Sequence, residues 1–235
     1  MSYSEGEKFK SENGSRSQNP ADGRAEINVF RALKALDDAP VLARAPESGT
    51  EKNPIIDSQM TRDEAMKSVA KGCPETIKEN QQLVDVKYYS FDGKVHQGQI
   101  LIHKKLANDV REVFQIAFDH HFPIESVIPV SKFGWRDDAS MDANNTSGFN
   151  YRTVTGGKTI SNHGRGFAID INTKLNPYIK ERNVEPAGAT YDPNVPGTLT
   201  ADHFLVKEFK KRGWSWGGDW KNLKDYQHFE KVVAE

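Results

Sequence analysis

The chain has 235 residues, enough for one domain of ordinary size with a polar tail. Its 32 Lys and Arg residues balance 33 Asp and Glu residues, so no basic excess exists to hold a polyphosphate backbone, and we expect no nucleic-acid partner. No run approaches the roughly 20 apolar residues that span a bilayer. A single cysteine, Cys73, excludes an intrachain disulfide and a multi-cysteine zinc site.

The N-terminal quarter differs in composition from the rest of the chain. Residues 1–60 hold few large apolar side chains, which predicts a disordered or loosely docked segment, with the folded domain over residues 61–235. Within this segment, residues 25–37 carry apolar side chains at helical spacing. They fit a helix that docks on the domain, or a segment that binds a secretion or immunity partner. The first residues lack a basic region followed by an apolar core, so no classical signal peptide is predicted.

The domain begins with clear local signals. Thr61 and Glu64 have the spacing of a capping box, and Pro74 forbids continuation of the helix that they start beyond about Gly72. Strands over 83–91 and 99–103 flank Asp92-Gly93, a pair typical of a hairpin turn. Apolar residues then repeat every three or four positions over 106–120, which predicts an amphipathic helix.

The second half predicts short elements without a regular βαβ alternation. Strands are expected at 127–130, 149–154, 167–171, 214–216 and 227–233, a helix at 201–212, a polar loop at 137–145 and a long irregular segment at 172–197. This mixture indicates an α+β fold, with a small antiparallel sheet and flanking helices.

Two of the seven histidines stand in distinctive surroundings. His163 precedes two glycines and the apolar run that contains Asp170, and His228 follows Asp225 by three residues. A carboxylate inside an apolar strand is costly unless it is paired or binds a metal. Two imidazoles and one carboxylate suit zinc and leave a fourth position for water. The same ligand types occur in the facial triad of iron oxygenases, although there the first histidine and the carboxylate usually lie one residue apart.

Ordered motifs in residues 83–233 resemble a known family. They comprise Ser161-x-His163-x-x-Gly166-x-Ala168-x-Asp170, Trp216-Gly217-Gly218-Asp219-Trp220, Asp225-x-x-His228, and the segments Ser140-Met141, Asn144-Asn145-Thr146-Ser147 and Phe149-Asn150-Tyr151-Arg152. These are similar to the motifs of bacterial zinc D-Ala-D-Ala carboxypeptidases and L-alanyl-D-glutamate peptidases. The resemblance implies the zinc-peptidase fold that this family shares with the hedgehog amino-terminal domain.

The resemblance also implies roles for individual residues. Zinc would be bound by His163, Asp170 and His228. Asp225 would move protons between the attacking water and the leaving amine. Two further residues each have two possible roles. Arg152 would hold the developing oxyanion or be a salt-bridged surface arginine. Ser161 would contact substrate or form a turn.

The implied substrate is the stem peptide of peptidoglycan. Asp225 stands where the carboxypeptidase branch commonly has Glu, which favours cleavage of the L-alanyl-D-glutamate bond, as in phage endolysins. The alternatives are a D-Ala-D-Ala carboxypeptidase and a non-catalytic, zinc-containing module that binds the cell wall or a partner. An enzyme of this kind would act on the cell wall, in the periplasm or outside the cell, by an export route that the sequence does not specify.

Overall fold

A computed structural model of the protein describes residues 47–154 and 157–234. The interpretation of residues 25–37, and of the tail as far as residue 46, lies outside the described residues. The helices are α1 (Arg62–Met66), α2 (Glu75–Glu79), α3 (Ala107–Asp119), α4 (Asp137–Asp142), α5 (Asn162–Arg165) and α6 (Phe204–Lys211). The strands are β1 (Ile55–Ile56), β2 (Gln81–Tyr89), β3 (Val95–His103), β4 (Ser126–Val127), β5 (Asn145–Thr146), β6 (Ala168–Asp170), β7 (Tyr178–Lys180), β8 (Asn183–Glu185), β9 (Ser215–Trp216), β10 (Lys224–Asp225) and β11 (His228–Glu230). None of the described helices is both long and apolar enough to cross a membrane.

The largest sheet has the strand order β1-β3-β2. Its centre is the predicted hairpin, in which β2 and β3 pair in register from Gln81 opposite His103 to Tyr89 opposite Val95. The turn contains Gly93 at a φ of 76°, and the Asp92 carboxylate accepts a hydrogen bond from the Lys94 amide at 2.9 Å. The second strand therefore starts four residues earlier than expected from its apolar run, because residues 95–98 also pair with the last residues of β2, from Val86 to Tyr89.

The main core lies between this sheet and the predicted amphipathic helix. The apolar face of α3 is buried at Val110, Val113, Phe114 and Ala117, and the predicted helix is confirmed to within one residue at each end. A second sheet, β6-β11-β9, continues the core through Phe229, whose ring stacks on Phe209 of α6 at 4.1 Å. Together these packed sheets and helices confirm the predicted α+β class.

The local predictions near the first helix hold only in part. The capping box is present, since the Thr61 side chain accepts from the Glu64 amide and the Glu64 side chain accepts from the Thr61 amide. The helix ends at Met66 rather than near Gly72, and the chain then passes through Ser68 at a φ of 60°. The short helix α2 follows Pro74 directly, a position where proline is compatible with helix initiation.

The irregular connections also differ from expectation in three places. The polar loop at 137–145 contains α4, and the segment 172–197 contains the hairpin of β7 and β8. The strand expected at 149–154 does not form, because its amides bond to unrelated partners: Phe149 to the Leu101 carbonyl and Asn150 to the His163 carbonyl. Residues 149–154 therefore run between the sheet and α5 and leave only an isolated bridge from Thr153 to Ile160.

Residues 47–60 were predicted to belong to the tail. In the structure they contact the largest sheet. Strand β1 pairs in parallel with β3, and the Asp57 carboxylate lies 2.9 Å from Nδ1 of His96 and accepts a short hydrogen bond from the Tyr88 hydroxyl. The buried Gln99 side chain accepts from the Ser58 hydroxyl at 2.9 Å and from the Met60 amide at 2.6 Å. Residues before the boundary predicted at residue 61 therefore contact the folded domain. Their contacts are made mainly by polar groups, whereas the boundary was predicted from the distribution of apolar residues.

A chain that begins at residue 61 should therefore unfold more readily than one that begins at residue 47. The deletion removes β1 and leaves the buried Gln99 carbonyl oxygen without its partners, and each such unpaired group costs about 1–3 kcal/mol. We expect a lower melting temperature and a free energy of unfolding smaller by about 3 kcal/mol, measured by thermal and urea denaturation. Equal stability of the two chains would show that residues 47–60 are dispensable for the fold.

Candidate active site

The position of His163 is set by the short helix α5. Ser161 caps its N-terminus, and the serine hydroxyl accepts a hydrogen bond from the His163 amide at 3.1 Å. The helix ends at Gly166, whose φ of 73° is left-handed, and a Cβ there would lie 2.1 Å from Oε1 of Gln81. Glycine is therefore required at this turn, which reverses the chain so that His163 faces the strand that follows.

Asp170 and His228 are brought together by strand register. Strands β6 and β11 are antiparallel, with His228 directly opposite Asp170. Because directly paired residues project to the same face of a sheet, their side chains meet, and Nδ1 of His228 lies 3.1 Å from Oδ1 of Asp170.

The three predicted ligands form one compact group. Nε2 of His163 lies 3.2 Å from Oδ2 of Asp170 and 3.1 Å from Nδ1 of His228. The donor atoms all lie within 4.8 Å of one another, and each residue is at most 7% exposed. Within residues 47–154 and 157–234, this is the one group of three His, Cys, Asp or Glu residues with such spacing.

In each histidine of the group, the outer ring nitrogen faces away from Asp170 and bonds to another group. The inner ring nitrogen faces Asp170 and is available to a metal ion. Nδ1 of His163 lies 2.8 Å from the Gly148 carbonyl oxygen, and Nε2 of His228 lies 3.1 Å from Oε2 of Glu230. Each of these nitrogens donates its proton outward, so loss of the second proton from either ring would leave a lone pair on Nε2 of His163 or Nδ1 of His228 directed toward Asp170. Two neutral imidazoles and a carboxylate with converging lone pairs fit a metal ion.

The charges of this group are strongly coupled. Burial by itself would raise the pKa of Asp170, but charge and hydrogen bonds from His163 and His228 hold that pKa well below its usual range. Burial would likewise lower the pKa of His228, yet hydrogen bonds to Asp170 and Glu230 raise it to about 10. A proton on His228 and a divalent cation therefore compete for the same position.

Asp225 lies at the end of a different sheet, β10-β7-β8, where it pairs with Tyr178. The backbone packs closely here, since a Cβ on Gly217 would lie 2.5 Å from the Asp225 carbonyl oxygen. Burial, together with the negative charge of Asp170, raises the pKa of the Asp225 side chain to about 6. Its Oδ1 is buried and has no hydrogen-bond partner among the described residues, which suits a group that exchanges protons with a substrate or water.

Arg152 also faces this site. One guanidinium nitrogen, Nη2, lies 2.8 Å from Oδ2 of Asp137, whose other oxygen accepts from the Asn150 amide group at 3.0 Å. The salt bridge matches the alternative interpretation of Arg152, but the residue lines the same cavity as the three ligands. Its Nε is buried and lacks a hydrogen-bond partner among the described residues, so the guanidinium keeps unused donor capacity.

A cavity of about 480 Å³ joins these groups. Its walls include the predicted residues Asp225, Arg152, Ser161, His163, Asp170 and His228. The structure thus brings all six together, and Ser161 is at the same time a helix cap.

Sequence reasoning missed two contributors to the cavity. The hairpin of β7 and β8 lines it with Tyr178, Lys180, Asn183 and Glu185, and Glu230 lies beside His228. The hairpin residues alternate along their strands. However, strands of only three residues, which lie between prolines and glycines, are too short to be predicted from an alternating pattern. For Glu230 a signal existed: it follows His228 by two positions, the spacing that places two side chains on one face of a strand.

Comparison with known proteins gives a family match that overlaps this site. Residues 155–231 match the model of a family described as D-alanyl-D-alanine carboxypeptidase, and the matched segment contains all of the site residues except Arg152. No curated protein and no solved structure shows significant similarity to the chain. The resemblance noted in the sequence is confirmed by the family match. The family match supports a metallopeptidase, and residues 155–231 are similar to the D-alanyl-D-alanine carboxypeptidase family.

Proposed function

We propose that the protein is a zinc-dependent peptidase that hydrolyses an amide bond in the stem peptide of peptidoglycan. The observation that carries this proposal is the convergence of His163, Asp170 and His228 in one cavity with the half-buried carboxylate of Asp225. The donor set favours zinc, because two imidazoles and one carboxylate are common catalytic zinc ligands that leave a position for water.

The metal and the residues around the three ligands have separate roles in the proposed reaction. Zinc, when bound, supplies an acidified water and a polarised carbonyl group. Asp225 takes a proton from the attacking water and returns it to the leaving amine, and its pKa of about 6 suits it to both transfers near neutral pH. A carboxylate with an ordinary pKa would be a weaker base and a poorer proton donor.

Arg152 is assigned to the substrate oxygen. Asp137 pairs with Nη2 of Arg152 and so fixes the orientation of the guanidinium group. The N–H donor on Nε of Arg152 remains unused among the described residues. A fixed cation can stabilise the negative charge that develops on the carbonyl oxygen without reorganising during the reaction. Ser161 lines the same cavity, and its hydroxyl proton is free to bond a substrate carbonyl because the serine oxygen is the acceptor in the helix cap.

Two bonds of the stem peptide are candidates. Aspartate at position 225 supports the L-alanyl-D-glutamate bond, by resemblance to the endopeptidase branch. The matched family description and the presence of both Arg152 and Lys180 in the cavity support a D-Ala-D-Ala carboxypeptidase, since two cations suit a free terminal carboxylate. A non-catalytic zinc module is less favoured, because a structural site needs neither Asp225 nor Arg152. The proposed place of action is the cell wall.

Digestion of purified sacculi with the full chain and zinc separates these alternatives. New N-terminal D-glutamate, identified by mass spectrometry, supports the endopeptidase. Released D-alanine supports the carboxypeptidase. An unchanged digest, from protein that carries one equivalent of zinc, contradicts both and supports the binding module.

Zinc binding should depend on His163 and on pH. Replacement of His163 by Ala should abolish stoichiometric zinc, whereas the exposed His120, outside the cavity, should be replaceable by Ala without loss. Because His228 holds a proton up to a pKa of about 10, zinc must displace it, and the apparent affinity should fall by about tenfold per unit as pH drops from 8 to 6. Isothermal titration in buffers of different ionisation enthalpy measures both zinc content and released protons. Full zinc retention in His163→Ala would refute the ligand assignment.

Asp225 should matter for turnover and not for zinc. The Asp225→Asn variant keeps the size of the side chain but removes its basicity, so we expect kcat to fall by about 10²–10⁴-fold with zinc still at one equivalent. In the wild type the rate should fall as pH drops through about 6, because the base then takes up a proton, and the variant should lack this dependence.

The matched control for this experiment is Asp219→Asn. The Asp219 carboxylate lies in the neighbouring motif but pairs with Lys210 at 2.7 Å, and it does not line the cavity. Its removal should leave the rate and the pH profile unchanged. A wild-type rate for Asp225→Asn would place the base elsewhere.

A further inference from the structure

Among the described residues that line the cavity, Glu230 is the one carboxylate outside the ligand set that hydrogen-bonds a predicted ligand. Its Oε2 lies 3.1 Å from Nε2 of His228, the ring nitrogen that faces away from Asp170. The same oxygen accepts a hydrogen bond from the side-chain amide of Asn162 at 2.6 Å. One oxygen atom therefore receives donors from strand β11 and from helix α5.

The two donors connect Glu230 to both histidines of the site. His228 and Glu230 are two residues apart on β11, on the same face of the strand, while Phe229 between them lies in the core. Asn162 is the first residue of α5 and directly precedes His163. A shift of α5 relative to β11 would change the separation of the two imidazoles, and the shared bond to Glu230 opposes that shift.

The two histidines also differ in the partner of their outer nitrogen. His163 donates to the neutral carbonyl of Gly148, whereas His228 donates to a carboxylate. A carboxylate partner fixes the imidazole tautomer and makes the inner nitrogen a stronger electron donor toward a metal. The anionic partner is thus placed on the histidine whose ligand atom is Nδ1, the nitrogen nearer to the backbone.

We propose that Glu230 is a positioning residue for the metal centre: it holds His228 in the tautomer with a free Nδ1 and, through Asn162, fixes helix α5 and His163 relative to strand β11. The inference rests on the proposed function, since it assumes that the three ligands bind zinc.

The test measures the zinc affinity of the full chain by competition with a chromogenic chelator. Glu230→Ala should weaken zinc binding by about 10–100-fold, the usual effect of removing a partner of a metal-bound histidine. Glu230→Gln, which keeps the shape and the acceptor but not the charge, should weaken it by a smaller factor. The matched control is Glu208→Gln, because Glu208 bonds Arg212 at 2.5 Å on α6 and does not line the cavity.

A second readout separates positioning from general stabilisation. Nitrogen NMR of the histidine side chains should show the Nε2-protonated tautomer of His228 in zinc-loaded wild type and a changed Nε2 shift in both Glu230 variants. A residue that only stabilises the fold would lower the melting temperature and leave zinc affinity and the His228 signal unchanged. If Glu230→Ala does not fold, the comparison of Glu230→Gln with Glu208→Gln decides the question.

The outcomes distinguish this inference from the proposed function. Zinc affinities of the Glu230 variants within twofold of wild type would overturn the positioning role while the zinc peptidase stands. Failure of the wild type to bind zinc at all would overturn both. Weakened binding in the Glu230 variants, with normal binding in Glu208→Gln, supports the inference even if sacculi are not cleaved.

Discussion

The direct pairing of Asp170 with His228 across β6 and β11 is the constraint on which the site depends. It places a carboxylate in the interior, where an isolated charge would be severely destabilising, and supplies a partner from the neighbouring strand. The second partner, His163, arrives from α5, which requires the left-handed turn at Gly166. Moving any one of these three side chains would leave a buried charge uncompensated.

The grouping of His163, Asp170 and His228 could be predicted from the sequence because their signals are local. Glycines beside His163, an acidic residue within an apolar run, and Asp225 three residues before His228 can each be recognised without knowledge of the fold. The family resemblance added the prediction that His163, Asp170 and His228 belong to one site. What the sequence could not provide was the register that sets Asp170 opposite His228, since either strand could slip by one residue without changing its composition.

The features that were missed depend on contacts between distant segments. Asp57 and Ser58 lie in a polar stretch, and their role becomes visible only when Tyr88, His96 and Gln99 are brought to them by the sheet. The β7–β8 hairpin is stabilised by pairing with β10, more than forty residues away in sequence. The expected end of the first helix was also wrong: α1 ends at Met66, although no residue there is a strong helix terminator.

The membership of Asp225 and the ligands in different sheets has a consequence for how this enzyme can diverge. Asp225 is anchored to the β7–β8 hairpin, whereas Asp170 and His228 are anchored to the core through β6 and β11. Only Tyr226 and Gln227 connect the two strands that carry Asp225 and His228. The hairpin can therefore change in sequence, and shift Asp225 along with the cavity wall, while His163, Asp170 and His228 keep their spacing. Changes in this hairpin thus alter the cavity and leave the group that could hold a metal in place.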